Sequence, residues 1–140
     1  MNFLPDLGAF DRALIAIAQA ARSGGVVAFD VCDLEWARAR KDAGALTRAE
    51  PDSAMMTTFS IPSPDRFIRD ITTFLPNQDG SWRRDSQHHK NVLVDGAHIP
   101  PLLSEHGIDA RINASFGAET LPDGLLAIIG QRPSYGPPNR

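Results

Sequence analysis

Four histidines, one cysteine and a few carboxylates are the groups here that could move protons or hold ligands. His88 and His89 are adjacent, and Trp82 to Val94 reads as a strand, so the two imidazoles face opposite sides. A neutral imidazole facing a pocket could orient an amine or hydroxyl nucleophile or take its proton. The bland alternative is an exposed polar strand residue. His98 and His106 read as surface groups. Asp30 stands at the carboxyl end of an apolar run, the edge at which open α/β sheets place ligands. It could line a pocket there or simply cap the turn that follows. The histidines show no His-x-x-x-His spacing and no acidic residue in register, so no metal is expected. Cys32 reads as a buried thiol, and Met55 and Met56 straddle the two faces of a strand.

These groups need elements to position them. Leu7, Phe10, Leu14, Ile17 and Ala21 recur at helical spacing, with Asp6 placed to cap and Gly24-Gly25 to stop the helix. Val26-Val27-Ala28-Phe29 is a continuous apolar run, which predicts a strand buried on both faces and paired in parallel fashion. Asp33 can cap a helix over Leu34 to Ala43, followed by a polar loop through Asp52. The period then changes to two. Met55 to Ile61, Arg66 to Leu75 and Trp82 to Val94 read as three strands joined at Ser63-Pro64-Asp65 and Asn77-Gln78-Asp79-Gly80, an antiparallel meander. A short helix around Ile99, Leu102 and Leu103 tolerates Pro100 and Pro101 in its first turn and ends at Gly107. Ile108 to Phe116 and Leu125 to Ile129 are strands around the Pro122-Asp123-Gly124 turn. The tail, residues 134–140, is expected to be disordered.

The chain has 140 residues, 42% hydrophobic and 22% charged, which suits one soluble domain and excludes global disorder. Seventeen acidic against fourteen basic residues leave a net charge of -3, no footprint for nucleic acid even with Trp82-Arg83-Arg84. One cysteine excludes an internal disulfide. No segment approaches the roughly 18 consecutive apolar residues of a membrane span, and Met1-Asn2-Phe3-Leu4-Pro5-Asp6 lacks signal-peptide character. A cytoplasmic location is therefore the default expectation.

The order of segments resembles the C-terminal half of a class I S-adenosylmethionine-dependent methyltransferase. Asn2-Phe3-Leu4-Pro5-Asp6-Leu7 is similar to the segment after that family's fourth strand. Ala21-Arg22-Ser23-Gly24-Gly25 is similar to its Leu-x-Pro-Gly-Gly turn, with Ser23 replacing the proline, and Val26 to Val31 to its fifth strand. Thr57-Thr58-Phe59 and Trp82-Arg83-Arg84, followed by His88-His89, resemble an antiparallel insertion found in many small-molecule members. Ile99 to Gly107 and the closing Gly130-Gln131-Arg132-Pro133 resemble the last helix and the exit. Together these cover almost all of residues 2–133.

The resemblance implies an α/β fold, half of a Rossmann-like sheet carrying the antiparallel insertion over residues 54–94. It implies methyl transfer from S-adenosylmethionine to a small-molecule oxygen, nitrogen or carbon nucleophile. Counting back from the last helix, His89 matches the family's histidine as acceptor orienter or base. Asp30, Met56, Phe59 and Arg69 would line the acceptor side, and Asn2 would stand near the donor. The family's Gly-rich donor loop and ribose-binding acid have no counterpart in the sequence, and a whole doubly wound sheet needs on the order of 200 residues or more. Met1 thus reads as an internal start, and the chain alone is expected to be inactive. The edge of Val26–Val31 is expected to be bare, so that the chain self-associates edge to edge and a lysine at Val27 breaks the contact. The alternative is a non-catalytic α+β module that binds a small ligand or a partner.

Overall fold

A computed structural model describes residues 1–134. The tail expectation for 134–140 falls, beyond Ser134, outside the described residues. The first helix, α1 (Leu7–Ala20), is capped by the Asp6 carboxylate, which accepts from the Ala9 N–H. Its buried stripe is Phe10, Leu14 and Ala18. Strand β1 (Val26–Cys32) leads through the cap Asp33 into a short α2 (Leu34–Arg38). Four strands follow: β2 (Leu46–Glu50), β3 (Ser53–Ser63), β4 (Arg66–Pro76) and β5 (Trp82–Val92). A 3-10 turn (Gly96–His98) enters α3 (Ile99–Glu105), with Pro100 and Pro101 in its first turn. The chain closes with β6 (Asp109–Asn113), the small β7 (Ser115–Phe116) and β8 (Glu119–Thr120) pair, and β9 (Leu125–Gln131).

Two principal sheets result. One has the order β1-β9-β6, the other β2-β3-β4-β5, and every pairing between their strands is antiparallel. The parallel pairing expected for Val26–Val31 is therefore corrected. Its neighbour is the C-terminal hairpin, as expected, but the strand β9 beside it runs the opposite way. Burial on both faces is corrected as well. Val27, Phe29 and Val31 pack with Ile128 and Leu126 against α1 and α3, whereas Val26 is 65% exposed and Ala28 and Asp30 are exposed. An unbroken apolar run reports that each face tolerates apolar residues; it does not report that each face is covered.

The meander has one strand more than expected. Residues Leu46–Glu50, read as loop, pair with β3 although all five are exposed, so they carry no hydrophobic alternation to betray a strand. The second helix ends at Arg38 instead of Ala43, and Arg40 turns back to donate from Nη1 to the Trp36 carbonyl. A larger core lies between the β1-β9-β6 sheet and helices α1 and α3; a smaller one, around Cys32, Ala37, Phe67 and Leu93, joins the meander to β1 and α2. At the turn before β9, Gly124 has φ +80, and a Cβ there would stand 2.2 Å from the Trp36 backbone. Only glycine permits that approach, which seats α2 under the meander.

Candidate functional site

The β3–β4–β5 register decides which predicted residues meet. Phe59 lies opposite Arg69, and Arg69 opposite His89, so the three form one row across the meander. Met56 belongs to another row, with Thr72 and Ser86, and by the alternation of strands it occupies the other face. The structure thus brings Phe59, Arg69 and His89 together and leaves Met56 apart.

The two histidines separate as their adjacency requires. His88 is exposed, and its Nδ1 meets Asp70 Oδ1 across the pair Asp70–His88. His89 is half-buried, with its ring centroid 5.6 Å from that of Phe3. Its Nε2 lies 3.0 Å from Gln87 Oε1. The Gln87 amide thereby holds the Nε2 edge of the ring, and the Nδ1 edge meets no partner among the described residues. Phe3 and Gln87 were not singled out from sequence. The i to i+2 spacing of Gln87 and His89 on one strand face is the signal that identifies Gln87; nothing local points to Phe3.

An aromatic wall extends the row toward β1. Phe67 is fully buried, 5.5 Å from Phe59 and 4.4 Å from Trp36 between centroids, edge-on to the latter. The Arg40 guanidinium lies 4.0 Å above the Trp36 ring. Asp30 is exposed on β1 opposite Ala127, and the cap of α2 is Asp33, so Asp30 does not serve as the helix cap. Asn2 is 3% exposed and wholly engaged with backbone. Its Nδ2 donates to the carbonyls of Cys32 (3.0 Å) and Val92 (2.6 Å), and its Oδ1 accepts from the Cys32 N–H (2.7 Å). The side chain ties the end of β1 to the end of β5 and holds Phe3 beside His89.

Burial pushes the Cys32 thiol up from 9.0 to about 11; Asp30 adds to the rise, while the N-terminal amine, Arg40 and Arg69 oppose it. Thiolate at neutral pH is then about a hundredfold scarcer than for a free cysteine. Ellman's reagent should therefore label Cys32 slowly in the native chain and fast in denaturant. A thiol whose folded value is raised stabilises the fold fully below about pH 9, and that contribution is lost as pH rises through 11. The melting temperature should fall over that window, less steeply in Cys32→Ala; fast native labelling or parallel pH profiles would contradict the burial.

Among the described residues, no group of three or more His, Cys, Asp or Glu side chains is placed to hold a metal, and no helix is long and apolar enough to cross a membrane. A cleft lined by Phe3, Leu4, Pro5, Arg66, Ile68 and Lys90 borders the Phe3–His89 ring pair. Neither strand-to-helix connection, Asp33 after β1 or Leu93–Asp95 after β5, is the Gly-rich turn that cradles a nucleotide-like donor, and the Asn2 amide is already occupied.

No protein-family profile and no curated protein matches the sequence. Solved structures match the fold. An S-adenosylmethionine-dependent methyltransferase from Clostridium acetobutylicum superposes with a TM-score of 0.75 at 12% identity, over 95% of this chain and 55% of that one. A methyltransferase from Streptomyces caelestis gives 0.68 at 10% identity, over 95% of this chain and 53% of that one. A sugar N-methyltransferase from Streptoalloteichus gives 0.64 at 16% identity, covering 93% and 51%. The chain spans about half the length of these structures. It has the fold of the C-terminal half of a class I S-adenosylmethionine-dependent methyltransferase.

Proposed function

We propose that these residues form the acceptor side of an enzyme that transfers a methyl group from S-adenosylmethionine to a small-molecule nucleophile. The observation that carries this reading is the row Phe59–Arg69–His89, whose Phe59 packs against the cluster holding Cys32 at the carboxyl end of β1. The donor, held by residues outside this chain, supplies a methyl group that is already activated. The task of the chain is then orientation and proton handling. Phe59 and Phe3 present apolar faces to the acceptor's carbon skeleton, Arg69 binds it, and Asp30 completes the acceptor side. His89 orients the nucleophile and accepts its proton on Nδ1. No metal enters the scheme, and the acceptor is a small molecule rather than nucleic acid or a membrane surface. A cytoplasmic setting is part of the proposal.

The reading is tested by the genomic codons upstream of Met1. A Gly-rich loop after an apolar strand, in any frame, supports it. Unrelated sequence preceded by a ribosome-binding site favours the non-catalytic α+β module.

Self-association is proposed from the edge of β1. Among the described residues this strand pairs only with β9, and its outer edge carries no proline, bulge or lysine. The lysine expected to disrupt it is better placed at Ala28 than at Val27, whose side chain packs into the larger core. Light scattering should find dimers or larger species for the 140-residue chain and a shift toward monomer for Ala28→Lys. A monodisperse monomer of the unaltered chain at high concentration would refute the edge contact.

A further inference from the structure

Most of the partly or fully enclosed arginines in this chain have an evident use. Arg40 covers Trp36 and donates to its carbonyl, Arg66 donates to the Pro5 carbonyl, and Arg132 donates from Nη2 to the carbonyls of Ala18 and His106. Arg38 and Arg48 pair with Glu35 and Glu50 at the surface. Arg69 differs. Its Nε is buried and meets no acceptor, and among the described residues it forms no ion pair. The Nε of Arg132 is also buried without an acceptor, but that guanidinium is held by two carbonyls where helices α1 and α3 end.

An enclosed guanidinium donor is rarely left without an acceptor. Arg69 stands in the middle of the row, between Phe59 and His89, and no carboxylate is spent on it. Asp30, the carboxylate near the end of β1, is not within ion-pair distance of it. The planar fork of arginine matches the paired oxygens of a carboxylate or phosphate. We propose that the acceptor carries an anionic group, a carboxylate or a phosphate, bound by Arg69, and that this contact sets the distance from the anion to the nucleophile beside His89. The proposal deepens the acceptor-side reading and rests on it for the role of the bound molecule, but anion binding itself requires no donor.

The test is nitrogen-15 NMR of the 140-residue chain, titrated at constant ionic strength with inorganic phosphate in one arm and sodium acetate in the other. Small anions make few contacts, so dissociation constants on the order of millimolar are expected. The Arg69 Nε–H and the backbone amides of Phe59 and His89 should shift together and saturate. The arm that saturates at lower concentration identifies phosphate or carboxylate as the preferred group. Arg69→Gln should weaken binding roughly tenfold or more, and Arg69→Lys, which keeps the charge without the fork, by a smaller factor. Lysine also serves as the variant should glutamine unfold the chain. Shifts that do not saturate in either arm, or binding unchanged in both variants, would overturn the proposal. Two further outcomes separate it from the wider reading. Methylation of neutral acceptors as fast as anionic ones, by a polypeptide that also holds the donor half, would reject the anionic acceptor and keep the transfer. Saturable anion binding at Arg69 without transfer to any acceptor would uphold the anion site and reject the transfer.

Discussion

In a polypeptide that joins these residues to a donor-binding half, His89→Ala is expected to lower turnover by roughly 10²–10⁴-fold, the range usual for loss of a general base or orienter. The affinity for donor should barely change, because the proposal assigns the donor to residues outside the row. His88→Ala should change turnover little. The asymmetry follows from the strand: His89 shares the row with Arg69 and Phe59, whereas the exposed His88 meets Asp70 on the other face. Gln87→Ala should reduce turnover by a smaller factor, since it removes the amide that holds the Nε2 edge of the His89 ring. Equal losses for His88→Ala and His89→Ala would show that the row does not hold the nucleophile.

The second large effect concerns folding. Asn2→Ala removes three hydrogen bonds to the backbone of Cys32 and Val92, in a place where water cannot replace them. Each abandoned buried group costs about 1–3 kcal/mol, and the three are not additive, so a loss of roughly 3–4 kcal/mol is expected. Thermal unfolding should then begin roughly 10–20 °C lower. Asn2→Asp should do no better, because a carboxylate cannot donate to the two carbonyls and would be buried facing them. A melting temperature unchanged in Asn2→Ala would show that the amide is free to serve a ligand. That outcome would return Asn2 to the donor-side role implied by family resemblance.

The sequence made the elements legible wherever a periodic pattern met a chemical stop. Asp6 caps α1, and Asn77 to Gly80 separates β4 from β5, because caps and turns are local chemistry; the glycine stop expected for α1 is corrected, since the helix ends at the extended C-cap Ala21, three residues before Gly24. Strand β2 escaped notice because its five residues are exposed and held by backbone pairing alone. The direction of pairing beside β1 and the bare face bearing Val26 and Ala28 are set by which elements lie alongside, and side-chain pattern does not encode that. At the site, parity along a strand was sufficient to part His88 from His89. The same parity parts Met56 from Phe59, three residues apart on β3. Phe3 and the Asn2 clip depend on residues some 90 positions apart meeting in space, which no window of sequence reports.

In the proposed function this chain supplies the acceptor side and other residues hold the donor. Calorimetric titration of the 140-residue chain with S-adenosylhomocysteine tests that division. The absent Gly-rich strand-to-helix turn and the occupied Asn2 amide predict no tight site. Saturable binding with a dissociation constant on the order of low micromolar or below, some 7–8 kcal/mol of affinity, would contradict the account, because it would place a complete donor site within these residues.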